Sequence, residues 1–346
     1  MKKVLFHLML TGLTLSSSAQ FQTGEEPYMT KSFPKESIDN VEVKTSGGSI
    51  SVEGVNASEA RVEVFVHPNN SSDNFSKEEI KGVLEENYDL SVSVSNNKVT
   101  AVAKTKERNM NWKKSLSISF KVFAPKKISS KLETSGGSIS LKNLSGSQDF
   151  TTSGGSLHVD NLSGEVKGRT SGGSIHLANS KDDINLATSG GSILAENSSG
   201  NLRLSTSGGS INLSGLKGDI EANTSGGSIN GNNISGELST STSGGSVRLS
   251  DLTCSLEAST SSGSMDVSMT ALGKYIKLSN SGGNIDLAIP GNKGVNLKLS
   301  GRRVSTPALT NFNGSVDNNE VEGKMNGGGI AVTATAGGGK VNLTVK

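Results

Sequence analysis

The chain has little of the material that usually builds a compact globular core. Its 346 residues include one cysteine, Cys254, six prolines and only 4% aromatic residues. A single cysteine excludes an intrachain disulfide, so stability outside a reducing compartment must come from packing and hydrogen bonds. Because 43 residues are glycine and large side chains are few, the composition favours stacked aliphatic rows over an aromatic core.

A basic surplus is also missing. The sequence carries 34 lysines and arginines against 32 aspartates and glutamates. A nucleic-acid-binding protein would normally be clearly basic. We therefore expect no nucleic-acid partner.

Long apolar runs are missing too. The apolar stretch from Val4 to Leu15 is shorter than the roughly 20 residues that a transmembrane helix needs. Lysines precede it and Ala19 follows it, which is the pattern of a secretory signal peptide. We expect a signal peptide at residues 1–19, no transmembrane segment, and a mature protein in the periplasm, on the outer cell surface or released from the cell.

What the sequence has in abundance is the hexapeptide TSGGSI. It occurs at residues 45–50, and the same letters or near copies return at a fixed spacing of 18 residues. Self-similarity at one fixed period indicates a solenoid, in which each coil buries its apolar face only against its neighbours. The regular copies begin at Thr134, Thr152, Thr170, Thr188, Thr206, Thr224, Thr242 and Thr260.

We number the places of a coil from its threonine. Aliphatic residues recur at the sixth and eighth places, as in Ile175 and Leu177, and at the fifteenth and seventeenth places, as in Ile184 and Leu186. Spacing by two predicts two short strands per coil with alternate residues pointing inward. Asn at the tenth place and Gly at the thirteenth predict tight corners with positive φ. The Ser-Gly-Gly of the hexapeptide predicts the other corner, where a Cβ would clash and the flanking hydroxyls form ladders.

The fold class predicted from this pattern is all-β, a parallel β-solenoid with 18-residue coils and irregular ends. We expect a right-handed solenoid, because β crossovers are overwhelmingly right-handed. A left-handed hexapeptide helix needs a small aliphatic residue every six places, and the calcium-binding nonapeptide roll needs an Asp after Gly-x-Gly. The repeat has neither feature. Parallel stacking would make the eight regular copies about 34 Å long.

After the predicted signal peptide, the chain divides into four regions. Residues 20–36 are polar and form an N-terminal extension. Residues 37–133 hold alternating strand patterns and one hexapeptide copy, and we expect them to cap the regular coils at 134–279. Ser76 followed by Glu79 is a capping box, which predicts a short helix over 76–88. Residues 280–346, where the period lengthens, are interpreted as degenerate coils and a C-terminal cap.

Two stretches carry a family resemblance. The segment "SLSISFKVFAPKKISSKLETSGGSISL" (115–141) joins a strand, a proline and the hexapeptide, and "VEVKTSGGSISVEG" (41–54) is similar. Together with the glycine-rich C-terminus, these residues resemble the bacterial putative-adhesin family of β-strand-repeat domains of unknown function, over about residues 33–346. The resemblance implies an exported β-helix-like fold, no known enzymatic activity, and no binding residues to transfer.

Three side-chain groups are weak candidates for ligand binding. The fourteenth place forms an acidic column with Glu165, Asp183, Asp219 and Glu237, which is either a solvated edge screened by Lys181 and Lys217 or a calcium site. The seventh place stacks His158 on His176, too few ligands for zinc. The stretch 104–114 surrounds Trp112 with basic residues including Lys113 and Lys114. It is either a solvated loop or a contact site for an acidic glycan or membrane.

No arrangement of residues indicates catalysis. Polysaccharide lyases and hydrolases also use β-helices, but residues 134–259 contain no loop insertion that could build a cleft. We therefore expect a non-catalytic, monomeric protein without a cofactor, which presents a repetitive surface for multivalent binding of glycans or cell-surface polymers. The alternatives are a purely structural envelope scaffold and a polysaccharide-acting enzyme.

Overall fold

The computed structural model describes residues 26–34, 36–69, 75–106 and 115–346. The predicted signal peptide and the candidates Trp112, Lys113 and Lys114 lie outside the described residues. The predicted all-β solenoid is confirmed, since strands that are mostly parallel join into one continuous sheet. The handedness of the coils stays a prediction.

Two strands make each regular coil. Short strands run from the sixth to the ninth place, and they are β9 (Ile139–Lys142), β11 (Leu157–Asp160), β13 (Ile175–Ala178), β15 (Ile193–Glu196), β17 (Ile211–Ser214) and β19 (Ile229–Asn232). The strands of the second side are β8 (Ser129–Glu133), β10 (Gln148–Thr151), β12 (Ser163–Thr170), β14 (Lys181–Thr188), β16 (Ser199–Thr206), β18 (Lys217–Thr224) and β20 (Ser235–Thr242). In β21 (Val247–Thr260) and β22 (Met265–Asn280) both sides merge into one strand.

Strands on the same side pair in parallel with a constant register. Leu157 faces Ile175 in the next coil, and Val166 faces Ile184, so the pairing advances by 18 residues. The advance grows to 20 residues where Leu256 pairs with Ile276. The stack thus follows the sequence period and changes where that period changes.

The core is a set of buried rows along the coil axis. The four predicted inward places are buried in every regular coil, including the residues that are not aliphatic, such as Gln148. The buried Gln148 amide is satisfied, because it accepts from Ser130 Oγ at 2.5 Å and donates to the Ile128 carbonyl at 2.7 Å. This matters because a buried polar group without a partner is costly.

A fifth buried row was missed by the sequence analysis. It lies at the eleventh place and consists of Leu144, Leu162, Ser180, Ser198, Leu216, Ile234 and Leu252. Two serines interrupt its aliphatic pattern. Their hydroxyls are nevertheless paired: Ser180 Oγ accepts from the Leu162 N–H at 3.0 Å and donates to the Ala178 carbonyl at 2.8 Å. The row fills the corner between the two strands.

The N-terminal end is built from strands that do not stack in chain order. They are β1 (Met29–Ser32), β2 (Asn40–Lys44), β3 (Ile50–Val55), β4 (Arg61–Pro68), β5 (Tyr88–Ser95), β6 (Lys98–Thr105) and β7 (Leu116–Pro125), with a 3₁₀ turn at Ala57–Glu59 and α1 at Lys77–Asn87. The β2–β3 coil lies between β6–β7 and β8–β9, so that Ile50 pairs with Phe120 on one side and Ile139 on the other. Strands β1, β4 and β5 add antiparallel edges.

The predicted helix is confirmed with its capping box. The Glu79 N–H donates to Ser76 Oγ at 3.2 Å, and the Ser76 N–H donates to Glu79 Oε2 at 2.8 Å. The region expected to be a polar extension also contains structure, because β1 pairs with β4 and Phe33 is buried. Among the described residues, no helix has the length and apolar character needed to cross a membrane.

The C-terminal end repeats the same construction. Its strands are β23 (Ile285–Ile289), β24 (Val295–Ser305), β25 (Phe312–Val316), β26 (Glu320–Met325) and β27 (Ile330–Val345). The last strand, β27, is inserted between β22–β23 and β24, with Val332 paired to Ile276 on one side and Leu297 on the other. Strands β26 and β25 continue the edge in antiparallel fashion.

Candidate functional site

The hexapeptide corner bonds each coil to its neighbour. Thr152 Oγ1 donates to the Gly137 carbonyl of the preceding coil at 2.7 Å and accepts from the Gly155 N–H of its own coil at 3.3 Å. Ser138 Oγ accepts from the Ser156 N–H of the next coil at 3.1 Å. The predicted hydroxyl ladders therefore exist, but the hydroxyls bond mainly to backbone groups rather than to one another.

The two glycines of the corner have different roles. Neither adopts a left-handed conformation in the regular coils. A Cβ on the second glycine, Gly209, would lie 2.1 Å from the Gly191 carbonyl oxygen, whereas a Cβ on the first, Gly208, would meet nothing closer than 3.5 Å. Only the second glycine is thus required, and the reason is the close approach of the preceding coil rather than a reversal of the chain.

The opposite corner follows the sequence prediction. The tenth place has positive φ in the seven coils that begin at Thr134 to Thr242, between 49° at Asn197 and 64° at Gly215. Side-chain amides also bond to one another at the start of this column, where Asn161 Nδ2 donates to Asn143 Oδ1 at 2.8 Å. One coil later, Asn179 Nδ2 donates to Asp160 Oδ1 instead, also at 2.8 Å.

The seventh and ninth places point outward from the short strands and form what we call the short-strand face. The size of its outward side chains changes along the stack. In the early coils the face carries the long side chains of His158, His176 and Glu196, and in the later coils it carries small polar residues apart from Arg248. These smaller residues leave an open groove of about 570 Å³, lined by Leu194, Asn212, Leu213, Ser214, Asn230, Gly231, Asn232, Arg248, Leu249, Ser250, Asp266 and Ser268.

Polar side chains line part of the groove, and polar contacts lie beside its two ends. Asn230 Nδ2 donates to Asn212 Oδ1 at 2.9 Å. At the early end, His176 Nε2 lies 3.3 Å from Glu196 Oε2. At the late end, Lys346 Nζ donates to Ser268 Oγ at 3.2 Å. The sequence analysis missed this site because it followed one column at a time, although the run of small polar residues at both places in consecutive coils was a usable signal.

The histidine pair stacks as the sequence suggested. The His158 and His176 rings meet edge to face with centroids 6.4 Å apart. Among the described residues, His158 Nε2 is buried without a hydrogen-bond partner. Burial lowers the pKa of His158, and the nearby His176 lowers it further by a smaller amount. In the described part of the chain, no three His, Cys, Asp or Glu side chains come together in a way that could hold a metal ion.

The acidic column lies on the opposite strands. Glu165 is the register neighbour of Asp183, and Asp219 is the neighbour of Glu237. Two neutral donors relieve the repulsion: Asn201 Nδ2 donates to Asp183 Oδ1 at 2.7 Å, and Tyr275 Oη donates to Glu237 Oε1 at 3.0 Å. These two donors were not among the partners that the sequence suggested.

Direct ion pairs between lysines and the acidic column are not seen. Within the described ranges, neither Lys181 nor Lys217 forms an ion pair with the acidic column. Tyr275 reaches Glu237 because β22 has an irregular register where its coil is longer. Burial and the carboxylate of Glu237 raise the pKa of Tyr275, so its phenol stays protonated and continues to donate.

The single cysteine of the sequence does not contribute to the groove. Cys254 is buried, and burial raises its pKa to about 12. Because the thiolate is the reactive form of cysteine, burial and the raised pKa both disfavour reaction at this residue. It packs in the core and does not face the short-strand groove.

Comparison with known proteins gives a family match over part of the chain and no established activity. Residues 178–344 match the family described as Toastrack DUF4097. A search of curated proteins found no match.

Two solved structures are similar to this chain at low identity. One is a putative adhesin from Bacteroides fragilis, with 14% identity over 73% of this chain and 96% of that chain, and a TM-score of 0.31. The other is a putative cell adhesion protein from Clostridium sporogenes, with 13% identity over 92% of this chain and 98% of that chain, and a TM-score of 0.19. These TM-scores are too low for either likeness to carry an argument here. The match of residues 178–344 to the Toastrack DUF4097 family, a family of repeat domains of unknown function, confirms for that part of the chain the resemblance inferred from the sequence.

Proposed function

We propose that this protein is an exported, non-catalytic solenoid that binds glycans or other cell-surface polymers through its repeated outer surface. The observation that carries the proposal is the short-strand face, where outward side chains recur once per coil along a continuous stack. A surface of this kind matches a polymer, because several weak contacts made at once give strong overall binding.

The roles of the different side chains support binding over catalysis. The core rows, the hexapeptide and the tenth-place corner all hold the stack together. The groove is open, and among the described residues that line it only Arg248 and Asp266 are ionisable. General acid–base chemistry needs a positioned pair of groups with tuned pKa values, and one carboxylate beside one arginine does not supply that pair.

The proposal is tested with the fluorescently labelled chain of residues 20–346 and intact bacterial cells. We expect saturable binding to the cells that falls strongly after periodate treatment, which cleaves the vicinal diols of surface glycans. Incubation with the same polymers should release no new reducing ends. Absence of cell binding would contradict the binding role, and release of reducing ends would favour the polysaccharide-acting alternative.

A structural envelope scaffold is the second candidate. It is favoured by the other face of the coils, where charges pair with each other: Arg203 Nε lies 3.7 Å from Glu221 Oε2, and Lys277 Nζ lies 2.7 Å from Glu257 Oε1. A scaffold without a ligand would bind neither treated nor untreated cells. Localisation by protease treatment of intact cells would then distinguish a surface position from a periplasmic one.

A further inference from the structure

We propose that the groove of the short-strand face binds an uncharged, hydroxyl-rich saccharide chain that lies along the coil axis. This inference rests on the proposed binding function and assigns it to one site. The groove extends from Leu194 to Ser268. Since neighbouring parallel strands lie about 4.8 Å apart, the five seventh-place residues from Leu194 to Asp266 span roughly 19 Å. That length suits a segment of several sugar residues.

The direction of the ligand follows from the lining. The groove runs along the stack from the coil of Leu194 to the coil of Ser268, with the His176–Glu196 pair beside one end and the Lys346–Ser268 contact beside the other. Between them the same pair of outward places repeats in each coil, and most of these places carry a polar side chain. A polymer with a regular repeat can use equivalent contacts in successive coils, which a compact ligand cannot do.

The chemistry of the lining indicates hydroxyl groups as the ligand's contact points. Asn230 and Asn212 bond to each other, which leaves the Asn212 amide N–H groups and the Asn230 carbonyl oxygen free to bond elsewhere. No side-chain hydrogen bond or ion pair occupies Asn232, Ser250 or Arg248 within the described residues. The site therefore offers both donors and acceptors at short range, and a sugar hydroxyl is both at once.

The charge of the groove points to a neutral ligand. Arg248 and Asp266 are register neighbours in adjacent coils, and their charges cancel at the scale of a polymer. A polyanion such as nucleic acid or a uronate polymer would meet one arginine and one carboxylate, so it would gain little. A polycation would face the same balance.

The absence of aromatic residues among the described residues of the lining sets the expected strength. Stacking on aromatic rings is a large contribution to contact energy in binding sites, and here it is missing. Affinity for a short oligosaccharide should thus be weak, and measurable binding should need a polymer that fills the whole groove.

The test uses the full mature chain in the cell-binding assay and two matched substitutions in neighbouring coils. Ser250→Leu fills the groove with an apolar side chain, and Ser239→Leu places the same side chain at an exposed position on the opposite strands. We expect Ser250→Leu to weaken cell binding at least tenfold and Ser239→Leu to leave it unchanged. Asn230→Ala, which removes polar groups without filling the groove, should weaken it by about threefold to tenfold.

Competition identifies the ligand class. The neutral polymers dextran and mannan and the polyanions alginate and heparin are added to the same assay, and we expect at least one neutral polymer to compete and neither polyanion to do so. If cells bind but Ser250→Leu behaves like Ser239→Leu, the groove assignment is wrong while the proposed function stands. Competition by polyanions alone, or by no polysaccharide, overturns the ligand class. If wild-type chain binds no cells, the proposed function fails and the groove proposal fails with it.

Discussion

The regular coils and the two ends are held together by the same stacking contacts. The chain segments that make these contacts are close in sequence in the regular coils and far apart in sequence at the ends. In the regular region, Thr152 Oγ1 donates to the Gly137 carbonyl 15 residues away at 2.7 Å. At the N-terminal end, Thr134 Oγ1 donates to the Gly48 carbonyl 86 residues away, also at 2.7 Å. The early hexapeptide copy stacks as if it were the preceding repeat. The motif therefore specifies how two coils meet, and it does not specify which coil comes next in the chain.

The longer separation has a modest thermodynamic cost. Loop-closure entropy grows with the logarithm of loop length, so closing 86 residues instead of 15 costs only about 1.5 kcal/mol more. Burial of residues such as Ile50 and Val52, both fully buried, offsets that cost, since each contributes about 1.5–3 kcal/mol. The C-terminal end uses the same solution, with β27 inserted as an inner coil.

The largest effect is expected from a charge in the shared core. Ile211→Asp places a carboxylate in a row that runs through neighbouring coils, and we expect a loss of at least about 3 kcal/mol of unfolding free energy. Asn212→Asp, one residue on and facing outward, keeps the acceptor for Asn230 and should change little. Denaturant unfolding measures both, and equal midpoints would show that the inward and outward phase is wrong.

The second prediction compares the two glycines of the corner in both regions. Gly209→Ala should destabilise by about 1–3 kcal/mol, because its Cβ meets a backbone carbonyl, whereas Gly208→Ala should stay within about 0.5 kcal/mol. The same contrast should hold at the inserted coil, where a Cβ on Gly48 would lie 1.9 Å from the Ile118 carbonyl oxygen and one on Gly47 meets nothing within less than 4.0 Å. Thermal unfolding of the four variants checks this. A mild Gly48→Ala would mean that the N-terminal coil is packed more loosely than the regular ones.

The third prediction concerns the bond that the two regions share. Thr206→Val removes a donor to the Gly191 carbonyl, and Thr134→Val removes the donor to Gly48. Each change should cost about 1–2 kcal/mol, because a carbonyl loses its partner at a tightly packed corner. If the two costs differ by more than the experimental error in chemical denaturation, the corners are not energetically equivalent.

A smaller, pH-dependent effect should distinguish coils within the regular region. Burial lowers the folded-state pKa of His158 below its ordinary value of 6.5, and the nearby His176 lowers it further by a smaller amount. The unfolded state therefore binds more protons just below pH 6.5, and stability should fall as the pH drops through that value. Leucine is found at the seventh place of another coil, as Leu194. His158→Leu should therefore be tolerated and should weaken the dependence of stability on pH. An unchanged slope between pH 7 and pH 5 would show that other groups cause it.

The smallest effect is expected at the acidic column. The double substitution Asp219→Asn and Glu237→Gln should leave the melting temperature equal or slightly higher, because it relieves repulsion between adjacent coils. Millimolar calcium should not raise the melting temperature of the unmodified chain. A rise that disappears in the double variant would instead identify a calcium site, since a ligand that binds only the folded state stabilises it.

The sequence predicted some features of the outer surface and not others. The stacking of His158 on His176 and the neighbours within the acidic column follow directly from the period, because equal places in successive coils must be adjacent. The contact of Tyr275 with Glu237 could not be predicted, since it depends on how the longer coil of β22 folds over its neighbours. The groove is a difference in height between coils, so it becomes visible only when both outward places are considered in three dimensions.

The sequence by itself determined the coil: its two strands, four of its buried rows, its left-handed tenth-place corner and its register. These features depend on local conformation and on a strict period, and both can be read from consecutive residues. Only the tertiary structure decided where the irregular segments enter the stack. The insertion of residues 40–55 between β6–β7 and β8–β9, and of β27 between β22–β23 and β24, depends on pairing between distant segments. Any coil with matching hydroxyls, glycines and aliphatic rows fits beside any other, so local pattern leaves their order open, and packing of the whole chain selects it.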